Sequence, residues 1–252
     1  MMWLRLVWRG TAGLLWTVGC VAVMALIRYL PGQATDARWR RLQRAFGLWA
    51  RGLLRVLNVS LTVRGTPPTT PGLLISNHLG YLDIVVLAAT VRATFVSKSE
   101  VARWPGIGPA VTLLGTIYVD RSRRRDVARV NKLIAESLER GRSVIVFAEG
   151  TSSNGDDILP LRPSLLDVAE DGHYPVHYAR LDFQTPPGAP DAGEAVCWWG
   201  DAPFLPHLLG LLQVPSVQAL VHFGDETVPV ADRKTLALTL REKIRALPAL
   251  EA

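Results

Sequence analysis

Residues 74–83, LISNHLGYLD, constrain the fold of this chain more than any other stretch. The apolar run at residues 73–76 predicts a buried strand, and the run DIVVLAA from Asp83 predicts a helix. This places His78 and Asp83 at a strand end, where α/β sheets carry their functional groups. On one regular helix the two side chains would lie about 140° apart, so they meet only if His78 is in the loop and Asp83 in the first helical turn. The carboxylate would then hold one ring nitrogen and leave the other as a base. The alternative is structural, with a backbone-bonded histidine and an aspartate that caps a helix.

Short apolar runs recur along the chain, alternate with amphipathic segments and predict further strands. The run SVIVF at residues 143–147 is the best candidate for a central strand. The other predicted strands are residues 61–64, 95–97, 114–120, 176–183, 195–199 and 216–223. Helices are predicted over residues 126–140, ended by Gly141, and over residues 235–247, capped by Asp232. The stretch WPGIGPAV lacks the third glycine of a dinucleotide fingerprint and predicts a loop. The pattern predicts an α/β fold with a mixed, largely parallel sheet flanked by helices.

An uncharged apolar run of 18 residues, 10–27, lies near the N-terminus. As a helix it would span about 27 Å, just under the ~30 Å hydrocarbon core, so it either crosses the bilayer or dips into one leaflet. Apolar residues recur at helical spacing over residues 37–57: Leu42, Phe46, Trp49, Leu53 and Leu57. Arginines lie largely off this stripe, which favours an interfacial membrane helix; the alternative is a helix that covers the sheet. We predict an N-terminal two-helix membrane anchor at residues 1–60, followed by a domain at residues 61–252.

The chain combines 49% hydrophobic residues with a net charge of +6, which suggests an anionic partner. The densest positive cluster follows a predicted strand and contains Arg121, Arg123, Arg124, Arg125 and Arg129. These charges oppose the dipole of the helix that follows, so they either bind an anion or form a solvated helix start. No nucleic-acid reader motif accompanies them, so nucleic acid is not a predicted partner. Two cysteines in apolar surroundings indicate neither a disulfide framework nor a metal site.

Three polar motifs follow three apolar strands, and their order resembles the glycerolipid acyltransferase family, which includes bacterial lysophosphatidic acid acyltransferases. The first family motif, His-x-x-x-x-Asp after an asparagine, is matched by Asn77, His78 and Asp83. The second, Gly-x-x-aromatic-aliphatic-Asp-Arg, is matched at residues 115–121. The third, Phe-Pro-Glu-Gly-Thr, is matched at residues 147–151 with alanine in place of proline. The resemblance covers about residues 60–225, and the leading helix pair is similar to the family's membrane anchor.

The resemblance implies a membrane-bound O-acyltransferase that moves a fatty acyl group from acyl carrier protein or acyl-CoA to a lysolipid hydroxyl. His78 would act as general base, and Asp83 would orient it and stabilise its imidazolium. The thioester is a co-substrate, and neither a cofactor nor a metal is implied. A direct attack agrees with the absence of a Gly-x-Ser-x-Gly elbow from the sequence. The implied substrate-binding residues are Asn77, Lys98, Arg121, Glu149, Gly150 and Thr151. The arginines after the apolar run favour a catalytic domain on the cytoplasmic face of the inner membrane.

One departure from the family pattern concerns the acceptor headgroup. Phosphatidate-forming members usually continue the third motif with Arg-Ser, whereas this chain has Ser152 and Ser153. The stretches TSSNGDDILPLRPSLL and WWGDAPFLPHLLGLL are similar to the lyso-ornithine-lipid acyltransferase branch. The missing arginine weakens the case for a phosphate monoester, although Arg121 and its neighbours could compensate for it. We expect 1-acyl-glycerol-3-phosphate as the acceptor, with a lyso-ornithine lipid as the alternative. A non-catalytic lipid-binding protein is a second alternative.

Overall fold

A computed structural model describes residues 2–32, 34–103, 107–120, 124–170, 173–229 and 232–251. Within these ranges seven strands form one sheet: β1 (Val59–Arg64), β2 (Leu73–Ser76), β3 (Ala93–Lys98), β4 (Ile117–Val119), β5 (Ser143–Val146), β6 (Val176–Gln184) and β7 (Val217–Phe223). Their spatial order is β1-β7-β6-β2-β5-β3-β4. The pair β6–β7 is antiparallel, and the other five pairs are parallel. The predicted fold class is confirmed.

Helices cover both faces of the sheet over the described ranges: α1 (Met2–Tyr29), α2 (Thr35–Leu57), α3 (Leu82–Thr90), α4 (Ile107–Leu113), α5 (Arg124–Glu139), α6 (Ala192–Ala195), α7 (Phe204–Leu211) and α8 (Arg233–Ala246). One apolar core lies between the sheet and α2, α3 and the segment from α6 to α7. A second core lies between the opposite face of the sheet and α5 and α8. The predicted cap of α8 is confirmed, because the Asp232 carboxylate accepts hydrogen bonds from the backbone N–H groups of Lys234 and Thr235. The sheet that carries the polar motifs is therefore buried on both faces.

The apolar stripe of α2 lies in the protein core. Leu42, Phe46 and Leu57 are at most 7% exposed, and Trp49 and Leu53 pack against the same core. The anchor of two membrane helices is therefore corrected to one candidate span, because only α1 in the described chain is long and apolar enough to cross a bilayer. An amphipathic sequence pattern does not distinguish a bilayer from a sheet as the apolar partner. The division of the chain at residue 60 stays a prediction.

Two other predicted segments were wrong. Residues 195–199 do not form a strand, because the backbone N–H groups of Val196 and Cys197 both bond to the Ala192 carbonyl and close a turn after α6. The next N–H, that of Trp198, donates to the Leu79 carbonyl. Residues 107–113 form α4, where a loop was expected. In both places tertiary contacts override the local pattern.

Candidate active site

The polar motifs meet at one edge of the sheet. The strands β2, β5, β3 and β4 are parallel neighbours, so their carboxyl ends lie side by side. Asn77 and His78 follow β2, Glu149 and Gly150 follow β5, and Lys98 ends β3. This edge is where open α/β sheets bind their ligands.

His78 and Asp83 are in direct contact. His78 lies in the loop after β2, and Asp83 lies in the first turn of α3. The distance from His78 Nδ1 to Asp83 Oδ2 is 2.7 Å. The same oxygen accepts hydrogen bonds from the backbone N–H groups of Leu79, at 2.6 Å, and Gly80, at 3.0 Å. Asp83 is fully buried, so three donors hold this carboxylate in one orientation.

The imidazole of His78 is held from its face as well as from its edge. Its ring stacks on Phe147, with centroids 4.2 Å apart and planes 16° apart. The side chain is 19% exposed, and Nε2 has no hydrogen-bond partner among the described residues. Since Nδ1 faces a carboxylate, the ring carries its proton on Nδ1 and presents Nε2 as a base. The arrangement can therefore accept a proton from a bound hydroxyl group.

Glu149 organises the loops around the histidine. One carboxylate oxygen accepts from the backbone N–H of His78 and the other from that of Leu159, both at 2.9 Å. Glu149 is 2% exposed, and this burial raises the pKa of its carboxyl group to about 7. The two N–H donors lower that pKa, and the nearby Asp83 raises it. Glu149 thus ties the first motif to the loop that follows β5.

Gly150 and Arg162 are in close contact beside Glu149. Gly150 has a φ of +74°, and a Cβ atom there would lie 2.5 Å from Arg162 Nε. The arginine is exposed, and its guanidinium has no ion-pair partner in the described part of the chain. Sequence analysis missed Arg162, because eleven residues of irregular loop separate it from Gly150. It brings a positive charge to the motif that lacks the expected arginine.

The other predicted substrate-binding residues differ in their surroundings. Asn77 is 3% exposed, and its side-chain amide bonds to β6: it donates to the Leu181 carbonyl and accepts from the Leu181 N–H. Thr151 is exposed and follows Gly150 in the chain. Lys98 pairs with Glu100 at 3.1 Å and lies two strands from β2, a separation of roughly 10 Å. Arg121 lies outside the described residues. The two bonds to Leu181 make Asn77 a residue that fixes the loop after β2 to β6, and the substrate-binding roles stay predictions.

A cluster of aromatic residues packs against the loop after β2 from the side of α7. The Tyr81 hydroxyl lies 2.9 Å from His207 Nδ1, and His207 Nε2 lies 3.0 Å from the Cys197 carbonyl. Since Nε2 must donate to that carbonyl, Nδ1 accepts from Tyr81. Burial lowers the pKa of His207 and raises that of Tyr81, which favours the neutral form of both. Trp198 packs against Gly80, where an added Cβ would lie 2.8 Å from the Trp198 nitrogen.

The sequence of this chain is similar to those of known acyltransferases. The acyltransferase family profile matches residues 60–179. A lyso-ornithine lipid O-acyltransferase from Brucella abortus is 36% identical over 189 residues, which cover 70% of this chain and 71% of that protein. A 1-acyl-sn-glycerol-3-phosphate acyltransferase from Neisseria meningitidis is 32% identical and covers 80% of each chain.

The fold is also similar to a solved structure. The crystal structure of the 1-acyl-sn-glycerophosphate acyltransferase PlsC from Thermotoga maritima superposes with a TM-score of 0.69 at 15% identity. The superposition covers 96% of this chain and 93% of that one, so the two proteins share a fold along nearly their whole length. With the sequence relatives, these findings lead to one conclusion: this chain belongs to the acyltransferase family and is an enzyme of lipid synthesis.

Proposed function

We propose that this enzyme is a membrane-bound O-acyltransferase that moves an acyl group from an acyl carrier protein or CoA thioester to the hydroxyl of 1-acyl-glycerol-3-phosphate. The observation that carries this proposal is the 2.7 Å contact between His78 Nδ1 and Asp83 Oδ2, which leaves Nε2 as a base at the carboxyl edge of the sheet. An acyl acceptor with a hydroxyl group needs such a base, because the neutral hydroxyl is a weak nucleophile.

The reaction follows from these positions. His78 Nε2 takes the proton of the acceptor hydroxyl as its oxygen attacks the thioester carbonyl, and Asp83 stabilises the resulting imidazolium. The tetrahedral intermediate collapses with cleavage of the carbon–sulfur bond, and the imidazolium returns its proton to the thiolate that leaves. No acyl-enzyme forms in this scheme. The buried Cys197 supports a direct attack, because burial raises the pKa of its thiol above the ordinary value.

The headgroup of the acceptor is proposed to bind between the loops after β4 and β5. The exposed guanidinium of Arg162 lies beside Gly150, and the arginine cluster that starts at Arg121 follows β4. A phosphate monoester carries close to two negative charges, which two arginine groups can match. Arg162 would thus take the place of the arginine that this chain lacks after Thr151.

Helix α1 is proposed to lie in a single leaflet of the membrane, at the cytoplasmic face. Only 11% of the apolar 18-residue window of α1 is buried, yet the helix is fastened to the domain along its length. Trp16 Nε1 donates to the Trp49 carbonyl, and Trp49 Nε1 donates to Thr17 Oγ1. A helix that crossed the bilayer would carry the exposed arginines of α2 into hydrocarbon. A helix that lies along the interface avoids that cost.

A second candidate acceptor is a lyso-ornithine lipid, and the loop after Thr151 favours it. Asp156 is exposed on this loop. The loop lies close to the loop after β2, because a Cβ atom added at Gly155 would be 3.4 Å from the Leu79 side chain. An amino-acid headgroup carries a carboxylate and an ammonium group, which Arg162 and Asp156 could pair with in turn. The phosphate monoester would instead meet Asp156 as a like charge.

A mass-resolved acyl-transfer assay in detergent tests both candidates. Acyl carrier protein and CoA thioesters are offered against lysophosphatidate and lyso-ornithine lipid. His78→Ala should abolish product, whereas the matched control His173→Ala, at an exposed histidine, should keep it. Turnover by His78→Ala close to that of the wild type would refute the mechanism. Product from the aminolipid alone would refute the phosphate acceptor, and product from neither would indicate another lysolipid acceptor.

A further inference from the structure

The segment around α7 presents an uncharged apolar surface beside the catalytic loop. Residues 202–215 contain no charged side chain. Leu205 is 61% exposed, Leu209 is 40% exposed, and the neighbouring Trp199 is 46% exposed. The polar group of α7, His207, points the other way and contacts Tyr81. Helix α7 thus has its apolar side outward and its polar side inward, the reverse of a helix that faces water.

This surface continues onto α1. The Gly10 backbone lies against Leu212, where an added Cβ would be 3.8 Å from its Cδ1 atom. The Arg9 guanidinium is 6% exposed and donates to the carbonyls of Leu212, Val214 and Pro215. The first turns of α1 carry exposed apolar side chains next to this junction: Trp3, Leu4, Val7 and Trp8, each at least 63% exposed. The first turns of α1 therefore lie beside the C-terminal end of α7, and the polar groups at this junction are hydrogen-bonded to one another.

The same segment contacts the residues that hold the catalytic histidine. The Trp198 N–H donates to the Leu79 carbonyl at 2.7 Å, and Phe204 packs edge-on against Tyr81 with ring centroids 5.3 Å apart. An acyltransferase of lipid synthesis must take its acceptor from a membrane. A lipid whose hydroxyl reaches His78 therefore has this apolar segment as a neighbour for its acyl chain.

We propose that α7, with Trp199 at its edge, is a second lipid-contacting surface that enters the leaflet together with α1 and brings the catalytic loop to the bilayer. This inference rests on the membrane contact of α1 in the proposed function. Two contacts on one rigid body fix the orientation of the enzyme on the membrane, which a single helix does not. Exposed tryptophan and leucine side chains are suited to the boundary between headgroups and acyl chains.

Fluorescent labels test the proposal without relying on catalysis. An environment-sensitive nitrobenzoxadiazole label is attached to single cysteines introduced by Leu205→Cys, Leu15→Cys or Leu238→Cys into a background with Cys20→Ala and Cys197→Ala. Leu15 is 67% exposed on α1, and Leu238 is equally exposed on α8, on the opposite side of the sheet. The labelled proteins are transferred from detergent into vesicles of phosphatidylglycerol and phosphatidylcholine.

The expected result is a blue shift of emission for labels at positions 15 and 205 and none at position 238. A shift at position 15 without one at position 205 would overturn the α7 proposal alone. The absence of a shift at both positions would overturn the membrane contact of α1 as well. Shifts at all three positions would indicate non-specific adsorption and would also overturn the proposal.

A charge-insertion pair gives an independent measurement. Replacing both exposed leucines of α7, by Leu205→Glu and Leu209→Glu, should lower the vesicle partition coefficient at least about tenfold, because each glutamate would have to enter the interface. The matched variant Leu238→Glu should stay within about twofold of the wild type, since its position faces water. Equal partitioning of the two variants would contradict the proposal. Thermal unfolding in detergent checks that all variants are folded.

Discussion

Glu149→Gln should change how the stability of this enzyme depends on pH. Glu149 is 2% exposed, and its burial raises the pKa of the carboxyl group to about 7. The folded protein therefore keeps a proton that the unfolded chain releases near pH 4.5, the ordinary value. Stability from this group is fully present below about pH 4.5 and is lost as the pH rises to about 7.

The size of the effect follows from the two pKa values. A rise from 4.5 to about 7 corresponds to about 3 kcal/mol of unfolding free energy lost across this pH range. Glutamine cannot ionise, so the variant lacks this dependence. Its single amide oxygen can accept from only one of the two N–H groups that Glu149 binds, which costs roughly 1–3 kcal/mol at every pH. From these values the wild type should be more stable than the variant at pH 5, by up to about 2 kcal/mol, and equally stable or less stable at pH 8.

Chemical unfolding in a neutral detergent, followed by tryptophan fluorescence, measures this difference. The free energies of unfolding of both proteins are determined between pH 5 and pH 8. Glu139→Gln, at an exposed glutamate that ends α5, is the matched control and should retain the wild-type dependence on pH. A difference between wild type and Glu149→Gln that is constant with pH, or grows as the pH rises, would refute this account of Glu149.

Three further predictions test the site. Asp83→Asn should lower kcat by about 10²-fold or more with the fold retained, because a neutral amide oxygen still accepts from Nδ1 and from the two backbone N–H groups but does not stabilise the imidazolium; a loss below tenfold in the acyl-transfer assay would contradict this. Gly150→Ala should cost more stability than Gly188→Ala, because both glycines have positive φ but only position 150 also places a Cβ within 2.5 Å of a side chain; equal thermal unfolding of the two would exclude the contact with the arginine. Tyr81→Phe and His207→Leu should each lower kcat about tenfold without raising KM. The double variant should lose no more kcat than either single variant, and additive losses would show that the two residues act separately.

The strand ends were predictable because the evidence for them is local. Residues 73–75 and 144–147 are apolar throughout, and the polar residues that follow them fall at one edge of a parallel sheet whatever the strand order. The His78–Asp83 contact follows from this placement together with the first turn of α3. Sequence analysis of these motifs needs no knowledge of distant contacts.

The segments that were predicted wrongly depend on contacts with distant parts of the chain. Residues 195–197 and one stripe of α2 are apolar because other parts of the chain cover them, so their pattern reveals burial but not what buries them. Arg162 joins the site through an irregular loop whose path no periodicity encodes. The bonds of Arg9 to residues 212–215 are equally invisible, since each partner is a backbone carbonyl.

The hydrogen bonds of Arg9 also determine when, during synthesis of the chain, α1 can dock onto the domain. Arg9 and Leu212 are 203 residues apart in the chain, and β1 pairs with β7 over a comparable gap. At about 5–20 residues per second, roughly 10–40 s pass between the synthesis of α1 and that of its docking site. On the membrane contact proposed above, the helix would meet the bilayer before its docking site is made, and the domain would assemble against a helix already held there. Nascent chains arrested before β6 should accordingly sediment with membranes, and their recovery in the soluble fraction would reverse this order.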